Sequence, residues 1–527
     1  MLRKLMIAGA LAANMVMPAP VWAADMKDIT WAAQDDAATM DPHAFNHGMT
    51  MTVLSHIYEG LVRRDKAMAI EPALAESWDQ PSPTIWRFKL RDGVAFHDGR
   101  PLTADDVAFS FQRAMSDESD MKIFTASIVS VRAVDASTVE VETEFPNAAL
   151  IQSLPEVRIL SKSWAEANGA LSPSNVRKGS ENFATLNANG TGPFRLVSRE
   201  PDVRTVLEAN PDWWDTPEHN IGKATLVRIA SGPTRVAALL TDEVDFAYPI
   251  PLQDIARVRG SEGHAVLTGP EIRTMFLSMD QARDVLLYSS VKDGNPFKDQ
   301  RVRQAFYQAL DIDAIADRIM RGSATPTGNL MAPGINSVDP SLQPRAYPFD
   351  PEAAKSLLAE AGYGDGFSVT LDCPNDRYVN DEAVCQAVAA MLAKIGVDVD
   401  VNAMPAAQFF PKVGSRDSSF NFFGYTPVNL DAFNTLSVIV HSPTDGRGQW
   451  NVGDFSDPRI DALIEQVLSE MDPEKRTALV TEAMRRHQEQ VGHVPLYQQG
   501  LSWGMRKGVE TPLQIDNRVN LAYFSVN

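Results

Sequence analysis

The stretch that most restricts the fold is residues 371–381, LDCPNDRYVND, together with its flanks. An apolar, β-type run (Phe367, Val369, Leu371) leads in, and a helix-patterned run over residues 383–395 leads out. A strand passing through a polar loop into a helix is the unit of an open α/β sheet, where ligands sit at the carboxyl ends of strands. The loop holds one cation, Arg377, beside one aromatic, Tyr378. Taken alone it reads first as a connector whose Arg pairs with Asp376 or Asp381, since most polar loops only join elements. The chain's two cysteines, Cys373 and Cys385, flank it. A disulfide between them would staple the loop; two buried thiols are the alternative, because the sequence does not give the Cα separation that a disulfide needs.

The N-terminus carries Arg3 and Lys4, then a short apolar run over residues 5–17, then Val21-Trp22-Ala23. This order predicts a signal peptide over residues 1–23, cut after Ala23, and export to an oxidising compartment. No later run reaches the roughly 18 apolar residues of a membrane span. A chain of 527 residues exceeds what one core usually serves, so two or three lobes are expected. Its 48 basic and 68 acidic residues give a formal net charge of −20, which argues against nucleic-acid or anionic-membrane partners.

Strand and helix patterns alternate along the chain. Residues 28–33 read as a strand, and residues 53–62 as helix-like with Leu54, Ile57 and Leu61 on one face. Residues 84–90 alternate as a half-buried strand. Thr103, with Asp106 three residues on, starts a helix whose face is Val107, Phe111 and Met115. Asp350-Pro351 starts another, stopped by Gly362; Asp457-Pro458 starts one that buries Ile460, Leu463, Ile464, Val467 and Leu468; Asp472-Pro473 starts a third.

The run over residues 74–115, LAESWDQPSPTIWRFKLRDGVAFHDGRPLTADDVAFSFQRAM, resembles the signature region of the family 5 extracellular solute-binding proteins, the peptide- and nickel-type binding components of ABC importers. Later landmarks are similar and fall in the family order: NGTGPF at 189–194, NPDWW at 210–214, NPF at 295–297 through RVRQA at 301–305, FDPEAAK at 349–355 and VPL at 494–496. The resemblance implies an α/β, two-lobed periplasmic binding protein (type II, cluster C-like) with three subdomains and hinge strands. The lobe I core is expected over 24–60, 185–270 and 490–527, an extra subdomain over 61–184, and lobe II over 271–489. Crossings between lobes are expected near 268–277 and 490–498.

The same resemblance implies a periplasmic protein of a Gram-negative cell, catalysing no reaction and holding no cofactor. It would act as a monomer, capturing a small molecule or oligopeptide and delivering it to ABC permease subunits, with no nucleic acid involved. In peptide-binding members an Arg of the second-lobe strand-to-helix loop pairs with the ligand carboxylate, and that position falls on Arg377. The acid that takes the ligand's amino group falls on Val428 in GYTPVNLD at 424–431, which cannot pair with an ammonium. This departure points to a modified peptide, an opine or a sugar conjugate. Tyr378, Tyr425, Asp431, Phe45 and Asn46 are further candidates for the cleft.

Rival functions leave little trace. There is no Gly-x-Ser-x-Gly elbow, no His-Glu-x-x-His helix and no phosphate-binding Gly-x-x-x-x-Gly-Lys-Ser/Thr loop. A secreted hydrolase would need a nucleophile beside a base, and His97-Asp98 marks none. A metal or nickel-complex binder on the same scaffold would draw on His43, His47 and His56, although Pro42 and Gly48 interrupt the helix that would align the first two.

Overall fold

The computed structural model describes residues 26–527; the expected signal peptide lies outside the described residues. An 11-stranded mixed sheet runs through the molecule. Its first half centres on strand Lys27–Ala33, parallel to Ile221–Arg228 and Phe246–Tyr248. Its second half centres on Phe367–Pro374, parallel to Val397–Met404 and Phe420–Tyr425. Trp31, Phe194, Phe246 and Trp503 anchor the first core; Phe297, Phe306, Leu371 and Phe420 anchor the second. A separate four-stranded antiparallel sheet, with Trp86, Phe88, Phe111 and Val141 in its own core, forms a small subdomain.

Two long antiparallel strands join the halves. His264–Met279 pairs with Val494–Arg506 in two blocks. His264↔Arg506 to Pro270↔Gly500 lies on the first side, and Thr274↔Gln498 to Leu277↔Val494 on the second. The register shifts between Pro270 and Thr274, so Glu271, Ile272 and Arg273 fall outside the regular ladder. An extra length of chain on one strand bends a ladder and breaks its pairing locally. Gly500 sits at this break, where a Cβ would come within 1.8 Å of the Ser323 carbonyl oxygen, so no side chain fits.

Local readings of the sequence recur in the structure. Thr103 forms a capping box with Asp106 at the start of helix Ala104–Met115. Asp350 caps Pro351–Glu360, and Gly362 follows with φ of 88°. Helix Pro458–Ser469 buries Ile460, Ile464, Val467 and Leu468. The helix expected over 53–62 instead occupies Gly48–Ile57. It ends early because Gly60 must pass against the Leu154 carbonyl, 2.8 Å from where its Cβ would stand.

Cys373 ends strand Phe367–Pro374 and Cys385 lies in helix Asp381–Leu392; the two form a disulfide with Cα atoms 6.6 Å apart. It closes a ring around the loop that carries Arg377. Replacing both cysteines with alanine is expected to lower unfolding free energy by ~2–3 kcal/mol. A loss under ~0.5 kcal/mol in urea titration would mean that the hydrogen bonds of Asp381 hold the loop unaided.

Four histidine rings, His43, His56, His487 and His493, are fully buried. Burial holds His43 and His487 down to about 3, His56 to about 4, and His493 well below its ordinary value. An unfolded His takes up its proton near 6.5, whereas these native rings do so only at lower pH. Between those limits the unfolded chain binds more protons, so the stability is complete above about pH 6.5 and is lost as pH falls. Each ring contributes ~1.4 kcal/mol per pH unit in that window. The urea midpoint should therefore be clearly lower at about pH 5 than at about pH 7; an equal or higher midpoint would contradict neutral burial.

Candidate functional site

A cavity of about 680 Å³ lies between the two halves of the sheet, within the usual size range of small-molecule sites. Its wall is built largely from chain segments just past strand ends. Gln34 and Asp35 follow Lys27–Ala33; Asp376, Arg377 and Tyr378 follow Phe367–Pro374; Thr426, Pro427 and Val428 follow Phe420–Tyr425. The broken register adds Glu271, Ile272 and Arg273, and the facing strand adds Gln499, Gly500 and Leu501.

Arg377 lines this cavity, and its guanidinium makes no ion pair or hydrogen bond with the described residues. The connector reading required a pair with Asp376 or Asp381, and both carboxylates are engaged elsewhere. Asp376 Oδ1 accepts from Ala406 N at 2.7 Å, and Asp381 Oδ2 accepts from the backbone N–H groups of Arg377 and Tyr378, both at 3.0 Å. Those bonds fix the loop backbone and leave the side chain free. Arg377 is itself exposed to the cavity, but desolvation by the surrounding wall, then the like charge of Arg273, lowers its guanidinium below the usual range. Arg273 itself pairs with Glu271 at 3.2 Å.

Tyr378 carries both cations near its ring, with the Arg377 guanidinium carbon 5.4 Å and that of Arg273 5.9 Å from the centroid. A ring face attracts cations, so Tyr378 holds the pair in place despite their mutual repulsion. Its hydroxyl donates to the Gly424 carbonyl at 3.2 Å and accepts from Gly424 N–H at 3.1 Å. Gln499 ties the loop to the crossing strands: its Oε1 accepts from Val379 N–H at 3.1 Å and its Nε2 donates to Glu271 at 2.9 Å.

Asn46 lies on the wall, where its backbone N–H donates to Asp120 at 3.0 Å. Three other expected residues do not line the cavity. Phe45 lies behind it, stacked on His47 with centroids 5.5 Å apart and covered by Arg177. Tyr425 packs against a further apolar cluster around Phe276, Phe423 and Leu436 and donates to Asn434 at 2.7 Å. Asp431 is fully buried, caps helix Ala432–Thr435 and is held by Arg476 through bonds of 2.6 and 3.0 Å. A buried carboxylate needs such a partner, and Arg476 satisfies it away from the cleft.

The residue that sequence reasoning missed is Asp35. It is exposed, lines the cavity from the first half, and makes no hydrogen bond or ion pair with the described residues. His47 sits in the field of both free charges: burial lowers its pKa most, Asp35 raises it and Arg377 lowers it. Its buried Nδ1 has no partner among the described residues. The other two histidines of the metal reading turn away, His43 to the Arg158 carbonyl at 2.8 Å and His56 to Leu521 N–H at 3.0 Å. Among the described residues no group of three or more His, Cys, Asp or Glu is placed to hold a metal ion.

The model of the bacterial extracellular solute-binding proteins, family 5 (middle region), matches residues 69–447. A glutathione-binding protein GsiB of Pectobacterium atrosepticum is 29% identical over 489 residues, covering 91% of this chain and 90% of its own. Among solved structures, HbpA2 from Haemophilus parasuis is similar with TM-score 0.80 and 24% identity, covering 95% of this chain and all (100%) of its own. NikA from Brucella suis in complex with Fe(III)-EDTA is similar with TM-score 0.81 and 20% identity, at 95% and 100% coverage. These two likenesses concern the fold, a mixed α/β type II binding protein. The match over residues 69–447 spans well over half of the chain, which therefore belongs to the family 5 bacterial extracellular solute-binding proteins.

Proposed function

We propose that this transport binding protein, which is not an enzyme, captures a peptide-like solute bearing an α-amino-acid head, in the periplasm, and presents it to an ABC permease. Glutathione, the ligand named for the GsiB relatives, is the first candidate. The observation that carries this reading is one free guanidinium and one free carboxylate on opposite sides of one cavity: Arg377 past a strand end of the second half, Asp35 past a strand end of the first. Their charges act on one another. Once the lobes close, a head group with carboxylate and ammonium on one carbon would meet both. Arg377 offers a planar fork for the carboxylate, and Asp35 accepts from the ammonium.

This reading revises the expectation from Val428. An apolar residue there removes one way of taking an amine, but Asp35 supplies another from the opposite lobe. On this reading the two lobes expected from the sequence close over the solute as a hinge, with the crossing strands between them.

Calorimetric titration with reduced glutathione tests the proposal. Arg377→Ala should weaken binding by roughly 30-fold or more, the usual consequence of removing one member of a desolvated charge pair. The melting temperature of the ligand-free protein should stay unchanged, because the guanidinium bonds nothing in the fold. Asp35→Asn should weaken glutathione binding but leave its N-acetylated form unaffected. Equal losses for both ligands would refute the role assigned to Asp35. If glutathione gives no heat, native mass spectrometry of protein purified from its own periplasm would identify the solute that is carried.

A further inference from the structure

Strand Val62–Arg64, paired with Ile70–Pro72 and with Val62 in the core of the small subdomain, brings Arg64 to the cavity rim, where the subdomain touches the second half of the molecule. Three acceptors on its own side hold the guanidinium: Nη1 donates to the Met68 carbonyl at 3.1 Å and Gln152 Oε1 at 3.0 Å, and Nη2 to the Gln152 carbonyl at 2.8 Å. The remaining Nη2 hydrogen reaches across the cleft to the Asn429 carbonyl at 2.8 Å. Beside it, Asn429 Nδ2 donates to Ser153 Oγ at 3.1 Å. Val428 packs against the apolar core of the small subdomain, as does Met471. Ala148 N–H meets the Leu468 carbonyl at 3.4 Å.

The far end of the same loop is fixed within the second half. Leu430 takes a positive φ of 54°, its carbonyl accepts from Asn336 N–H at 2.8 Å, and Asp431 is locked to Arg476. The loop over residues 426–430 is thus anchored at one end on the second half and met at its middle by the small subdomain. Hinge opening would break the bonds at its middle and spare those at its end.

We infer that Arg64 is a positioning residue for solute capture: a preorganised donor in the small subdomain that latches the 426–430 loop when the lobes close. This rests on the reading of the protein as a hinge-closing binder. Loop 426–430 then serves closure through a backbone carbonyl and an apolar contact, without offering the solute a charge. A donor already held by three neighbours loses little freedom on gaining its fourth acceptor, which is the condition for an effective latch.

The latch can be read without any ligand. Ser153 and Asn429 meet across the cleft, and the native cysteines are bonded, with no free cysteine among the described residues. In the S153C/N429C protein, diamide would take two hydrogens from the two thiols and leave an S–S bond between the lobes, seen as faster migration on a non-reducing gel. Adding Arg64→Met should slow this cross-linking by about tenfold, the effect of one hydrogen bond to a charged group. Arg64→Lys, which keeps the charge and stem but not the planar fork, should also slow it and guards against misfolding of the Met variant. Cross-linking within twofold of the parent in both variants would overturn the latch, and so would absence of a cross-link in the parent. Neither result bears on glutathione titration of Arg377 and Asp35, so the two readings fail separately.

Discussion

Everything else in the molecule hangs on the pairing of His264–Met279 with Val494–Arg506. Two antiparallel strands that run through both halves make one continuous sheet, yet their ladder breaks at residues 271–273. Pairing is unbroken from 264 to 270 and resumes at 274 with one further shift between Met275 and Phe276, so the longer gap at 271–273 concentrates bending in a few residues. Those residues also line the cavity: Glu271 and Arg273 at the break, Gln499 and Gly500 opposite. A solute that touches them touches the hinge. On the proposed reading, binding and closure would be coupled there, because a ligand shifts an equilibrium only through contacts that differ between its states.

The charges around the cavity divide into two kinds. Most are satisfied by neighbours: Arg273 is paired with Glu271, Arg518 with Glu156 at 2.6 Å, and Arg235 donates to the carbonyls of Ile229, Ala230 and Pro249. Arg377 and Asp35 are not. Both stay exposed to the cavity and bond no neighbour among the described residues, so the fold gains nothing from either. Asp381 and Tyr378 could have been arranged to neutralise Arg377; instead Asp381 holds the loop's amides and Tyr378 props the guanidinium from below.

The sequence made the strand-to-loop-to-helix unit at residues 367–395 legible because its signals are local: an apolar run, turn residues, a helix pattern. Arg377 and Tyr378 followed from the rule that ligands meet α/β sheets at the carboxyl ends of strands. The same rule applied to the first strand would have found Asp35, two residues past its end. It was passed over because no motif surrounds it. Asp431 and Tyr425 misled for the opposite reason. They sit beside a family landmark, but their partners, Arg476 and Asn434, are fixed by packing that no local pattern encodes. The disulfide was undecidable in sequence because a separation of 12 residues does not determine a Cα distance.

The placement of the free charges adds a last step. Asp35 belongs to one half of the sheet and Arg377 to the other. Neither half alone offers a complete site for a zwitterionic head. In an open molecule such a head would satisfy one partner and leave the other in water; only closure makes both contacts and excludes water from them, where each is worth more. On the proposed reading the second charge contact forms only on closure, and it would supply the differential affinity that a population shift requires. A solute with a carboxylate but no amine would hold Arg377 and still leave the hinge poorly biased. On the proposed reading, selectivity for the head group and the drive to close are the same interaction.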